Sequence, residues 1–113
     1  MTRYHLFICA LLIPQITTAS PDNMTVYELL QRISAAAQDA DENIQLGDDL
    51  RNIVQAELAK DSPAFCAPDG QGRMDSVALR DHAIAQVPDP ADQQRTAAAP
   101  VVIGYLTAAY PCV

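Results

Sequence analysis

The stretch Met24-Thr25-Val26-Tyr27-Glu28-Leu29-Leu30-Gln31-Arg32-Ile33-Ser34-Ala35-Ala36-Ala37 decides the fold class. Thr25 and Glu28 have the spacing of a capping box, in which a hydroxyl and a carboxylate satisfy each other's backbone N–H groups. Met24 and Leu29 flank them at the hydrophobic-staple positions. Val26, Leu29, Leu30, Ile33 and Ala37 then recur with a helical period and form one apolar stripe. The spacing predicts a first helix over 25–38.

Working outward, the acidic run Asp39-Ala40-Asp41-Glu42 suits the positive end of a second helix dipole. Leu46, Leu50, Ile53, Val54 and Leu58 share a face behind it, Gly47 weakens its first turn and Ser62-Pro63 ends it, so the second helix is expected over 43–60. Residues 63–74 hold two prolines and the Asp69-Gly70-Gln71-Gly72 turn, and read as a loop. Asp75 or Ser76 caps a third helix with a thin stripe of Val77, Ala83, Ile84 and Val87, stopped by Pro88-Asp89-Pro90. Pro100 is tolerated only in a first turn, which places the fourth helix over 99–109, with Val102, Ile103, Leu106, Ala109 and Tyr110 along one side. No stretch keeps a period of two over more than a few residues, and Val101-Val102-Ile103 is an isolated β-branched run beside helix formers. The expected fold is therefore all-α, a small four-helix domain with one disulfide.

Upstream, Arg3 precedes the apolar run Leu6–Ile13, Pro14 breaks it, and Thr17-Thr18-Ala19 supplies small residues for a cut after Ala19. The run is too short to span a bilayer, so 1–19 reads as a signal peptide for export to the periplasm and 20–113 as a single domain. Cys9 lies inside the run and leaves with it, since no lipoprotein cleavage box precedes it. Cys66 and Cys112 then remain as an even pair in an oxidising compartment and are expected to bond to each other. In the chain-entropy model, closing the loop between them stabilises a small domain by about 4 kcal/mol.

The 113-residue chain carries a net charge of −7, and cleavage would remove Arg3 but none of its 14 acidic residues. Such a chain has no nucleic-acid footprint, and after signal cleavage it has no cationic amphipathic segment for a membrane surface. A charged partner is expected to be basic. Runs such as Ala35–Ala37 and Ala97–Ala99 favour helix but bury little area, so the disulfide and self-association into a homodimer are the expected supports of a thin core.

Candidates for chemistry are few. His82 is the one histidine past the signal segment, and neither a nucleophile nor a ligand set accompanies it in sequence, so it reads as a solvated helix histidine. The run from Asp39 to Asn43 opens like a calcium loop, but Ile44 stands where that loop needs glycine and Leu50 where it needs a bidentate glutamate. Cys66 and Cys112 belong to no C-x-x-C pair, and Gly70 with Gly72 lacks the ending of a phosphate loop. No cofactor, metal or catalytic residue is expected. Asp69, Gln71 and Arg73 sit on a loop tip tethered near the disulfide, and are the candidate partner-binding residues.

Phe65-Cys66-Ala67-Pro68, a turn, the two helices of 79–87 and 97–106, and the closing Ala109-Tyr110-Pro111-Cys112 together resemble the type VI secretion amidase immunity family. In that family a Phe-Cys-x-Pro opening and an Ala-Phe-Pro-Cys-like ending flank two helices. The resemblance implies a small, all-helical periplasmic protein, often dimeric, that binds and blocks a peptidoglycan-cleaving amidase effector and is not itself an enzyme. It also matches Cys66 and Cys112 to the family's disulfide. The N-terminal half departs from the pattern, because Ser34 and residues 43–50 hold no cysteine where the family carries a further pair. A competing expectation from another class is a small periplasmic acid-stress chaperone, for which six Lys and Arg past residue 19 are a modest supply of acid-state charge.

Overall fold

A computed structural model describes residues 23–67 and 74–112; the expected signal peptide at 1–19 and the loop-tip residues Asp69, Gln71 and Arg73 lie outside the described residues. The first helix, α1, spans Val26–Ala36 and opens with the reciprocal capping box. Glu28 N–H donates to Thr25 Oγ1 and Thr25 N–H donates to Glu28 Oε1, each at 3.1 Å. Two first-turn donors are thereby satisfied without water.

Helix α2 spans Ala40–Leu58 and starts earlier than 43, because Asp39 is its cap. The Asp39 Oδ1 atom accepts from Asp41 N–H at 2.8 Å and Glu42 N–H at 3.4 Å, so the acidic run forms the first turn instead of preceding it. Helix α3, Ser76–Gln86, is capped by Asp75 in the same way, with Val77 N–H at 2.9 Å. Pro88-Asp89-Pro90 does not simply stop the chain. Asp89 caps a one-turn helix α4, Pro90–Gln93, whose Pro90 stands at the position where a missing N–H costs nothing. Helix α5 spans Ala98–Ala109, with Pro100 in its first turn as the spacing required. The four long helices match the expected set, and α4 adds a single turn between the last two.

The N-cap of α5, Ala97, makes no side-chain cap bond. Backbone takes that role. Thr25 and Ala97 form an isolated antiparallel bridge, in which Val26 N–H donates to Thr96 O at 2.9 Å and Ala98 N–H to Met24 O at 2.8 Å. Each helix thus has its first amide capped by the segment leading into the other, and α1 and α5 start side by side.

Helix α1 packs against the other four, and α5 packs against α1, α2 and α3. The core between them contains Leu29 and Ile33 of α1, Leu46, Leu50 and Val54 of α2, Leu79 of α3, and Val102 and Leu106 of α5. Arg32 ties α1 to α2 through Asp49 Oδ2 at 2.8 Å.

One helix faces differently from its expected orientation. On α3 the expected stripe of Val77, Ala83, Ile84 and Val87 is only partly inward, since Val77 is 52% and Ile84 42% exposed, whereas Leu79 and Ala83 are fully buried. Leu79 and Ala83 lie one turn apart, so they share the face that meets α1 and α5. Leu79 buries more apolar surface than Ala83 alone could, and the neighbouring helices select its side.

Candidate functional site

Phe65 is fully buried and joins the core shared by all four long helices. It fixes the segment leaving α2, and the next residue begins the covalent closure. Cys66 N–H donates to Tyr110 O at 2.9 Å, and Cys66 and Cys112 form a disulfide with Cα atoms 4.9 Å apart, as expected. Helices α3, α4 and α5 therefore lie within a closed covalent ring. Both cysteines are solvent-exposed.

A second anchor was missed by the sequence reading. Glu57, on α2, is only 8% exposed. Its Oε2 accepts from Ala64 N–H at 2.7 Å and its Oε1 pairs with Lys60 Nζ at 2.8 Å. The carboxylate thus spans from the last turn of α2 to the residue before Phe65. The Lys60 hydrogen bond, then the Ala64 N–H, hold its pKa below the ordinary value, and the cost of removing it from water opposes them only in part. The signal was present: Leu50, Ile53, Val54 and Glu57 follow the same inward spacing, so a carboxylate on that face had to find partners.

His82 is half-buried instead of solvated. Its ring meets Tyr105 of α5 edge-on, with centroids 5.7 Å apart and planes at 65°. Gly104 faces the imidazole closely enough that a Cβ there would lie 3.7 Å from Nε2. The contact makes His82 part of the α3–α5 packing. Among the described residues no group of three His, Cys, Asp or Glu could hold a metal ion. None of the described helices is long and apolar enough to cross a membrane. Asp39 caps α2, and Asp41 and Glu42 lie in its first turn.

Two surface depressions flank α1 and meet at Ser34. One, of about 450 Å³, is shallow and lies between Tyr27, Leu30, Gln31 and Ser34 of α1 and Gln93 of α4. Gln93 is itself buried and donates from Nε2 to Val87 O at 2.8 Å, which fixes α4 against the end of α3. The other, of about 200 Å³, lies where the end of α1 meets the starts of α2 and α3, with Ile33, Ala37, Asn43 and Val77 in its lining.

No family model matches the chain, and no curated protein or solved structure matches it.

Proposed function

We propose that this protein is an exported, non-catalytic protein-binding domain of the periplasm that inhibits a peptidoglycan amidase by binding and occluding it. The observation that carries the reading is the junction of Phe65-Cys66 with Tyr110-Pro111-Cys112. The two ends of the resembled segment meet through a backbone hydrogen bond and a disulfide, which hold α3 to α5 as one unit. An inhibitor benefits from such pre-organisation, because a binding face fixed before encounter loses little entropy on association. The acidic charge supports it further, since the long-range field of a net −7 chain speeds encounter with a basic surface and slows encounter with other acidic proteins.

The test has two parts. Expression of the full chain with fractionation and N-terminal sequencing should recover a periplasmic form beginning at Ser20. That form, oxidised, should inhibit at least one cell-wall amidase at near one-to-one stoichiometry, with the product of an adjacent gene tried first. If every amidase tested keeps its full peptidoglycan turnover with the protein in excess, the inhibitor reading fails.

A further inference from the structure

Three large apolar side chains stand exposed among the described residues, and two of them, Val77 and Ile84, lie on α3. They are seven residues apart, so about two helical turns bring them onto one line along the helix. Leu79 and Ala83, fully buried against α1 and α5, occupy the other side. The line through Val77 and Ile84 is therefore the outer face of α3. Each residue advances about 100° around a helix, which sets Arg80 to one side of this line and Asp81 to the other. Both are exposed, and they pair with each other at 3.1 Å. Such an exposed pair contributes little, so either group changes partner at small cost. The other ionisable side chains of this helix stand away from the line, Asp75 at the cap and His82 against Tyr105.

An apolar line with one charge on each flank is complementary to its own copy in one orientation. If two α3 helices lie side by side and parallel about a two-fold axis, each residue meets its own copy at the same height, Val77 against Val77 and Ile84 against Ile84. The axis also carries the Arg80 flank of one helix onto the Asp81 flank of the other, so two opposite-charge pairs border the apolar contacts. Antiparallel packing keeps like flanks together, Arg80 against Arg80 and Asp81 against Asp81, and these repel. β-Branched side chains at a seven-residue spacing also suit parallel pairs of helices.

We infer that the outer face of α3 joins two copies of this chain in a parallel, two-fold dimer, with Val77 and Ile84 at its centre and Arg80 of each copy paired with Asp81 of the other. The face is one side of an 11-residue helix. It is smaller than the roughly 800 Å² per partner of a stable interface, so the dimer is weak and half-formed at about 0.1 mM. The net charge of −7 opposes approach at long range. Salt at about 0.15 M confines that field to about 8 Å, and the local pairs then decide the orientation. The inference goes beyond the inhibitor reading and does not depend on it.

Sedimentation velocity of the oxidised protein, from about 10 µM to about 1 mM in about 0.15 M salt, should show monomer giving way to dimer. Val77→Ser combined with Ile84→Ser should weaken association at least about tenfold, with the melting temperature at low concentration little changed because both side chains are exposed. Arg80→Asp and Asp81→Arg should each weaken it about tenfold, and the two together, which exchange the flanks, should restore the parent midpoint. An equimolar mixture of the two single variants should also associate, since one then has two acidic flanks and the other two basic ones. Monomer at every concentration overturns the inference, and so does association that the paired serine substitutions leave intact. Single reversals without effect overturn the parallel pairing, because antiparallel helices already hold like charges together. Failure of both the exchanged variant and the mixture to recover association overturns the pairing of Arg80 with Asp81.

Discussion

Thr25 and Ala97 face each other across an antiparallel bridge, and beside it the first amide of the helix after each is capped by the segment leading into the other. The pairing is unequal. Thr25 also contributes a side-chain cap, and Ala97 contributes none.

That inequality makes opposite predictions for the two positions. Thr25→Ala removes the capping-box acceptor of Glu28 N–H and should destabilise by about 1 kcal/mol. Ala97→Ser places an acceptor beside the Ala99 amide, at a backbone conformation already suited to a cap, and should stabilise by about 0.5–1 kcal/mol. Thermal melts of the two variants should move in opposite directions by a few degrees. A stabilised Thr25→Ala would contradict the cap geometry.

The disulfide closes a loop whose ends are 46 residues apart in sequence. Cys112→Ala should therefore cost about 2–5 kcal/mol, seen as a fall in Tm of more than about 10 °C that reduction of the parent protein reproduces. An unchanged melt after reduction would show that helix packing alone holds the last three helices.

Glu57 links stability to acid. Its pKa is lowered by the Lys60 hydrogen bond and the Ala64 N–H, so its stabilising effect is fully present above the ordinary value of 4.5. The effect fades as the pH falls from that value through the lowered one. Glu57→Gln should flatten the denaturation midpoint against pH over that window. Glu57→Ala should also leave the Ala64 amide without its acceptor and be less stable at neutral pH. Dye binding at pH 2–3 gives a further readout. Protection of an unfolding client there would favour the chaperone alternative over the inhibitor.

The two sides of α3 should respond differently to truncation. Leu79→Ala opens a cavity in the core and should cost about 2–5 kcal/mol, whereas Val77→Ser and Ile84→Ser on the exposed side should stay within about 0.5 kcal/mol of the parent. Chemical denaturation midpoints of the three variants measure the contrast. A costly Val77→Ser would return that residue to the core side.

Gly47 lies inside α2 with nothing within 4 Å of where a Cβ would stand. Gly47→Ala should stabilise by about 1 kcal/mol through helix propensity alone. A loss of stability there, measured by the same denaturation, would mean that the site is more crowded than its geometry.

The sequence by itself determined the all-helical class, the cap at Thr25, a cap at Asp75 or Ser76, the tolerated place of Pro100 and the pairing of Cys66 with Cys112. Those features are legible because each depends on groups within a few residues or, for the disulfide, on the expectation that Cys9 leaves with the signal segment and one pair remains. Only the tertiary structure decided which side of α3 is buried, how Glu57 holds Ala64, why His82 rests on Tyr105, and that the segments before α1 and α5 pair. On α3 the apolar residues Val77, Leu79, Ala83, Ile84 and Val87 spread around the helix, so local spacing leaves its inward side open. Burial is settled by partners far away in the chain, because the free energy lies in removing apolar surface from water and not in any local hydrogen bond. The depression between the end of α1 and the starts of α2 and α3 has the same origin. Ser34, Asn43 and Val77 lie apart in sequence and line one groove only when packing brings the three helix ends together.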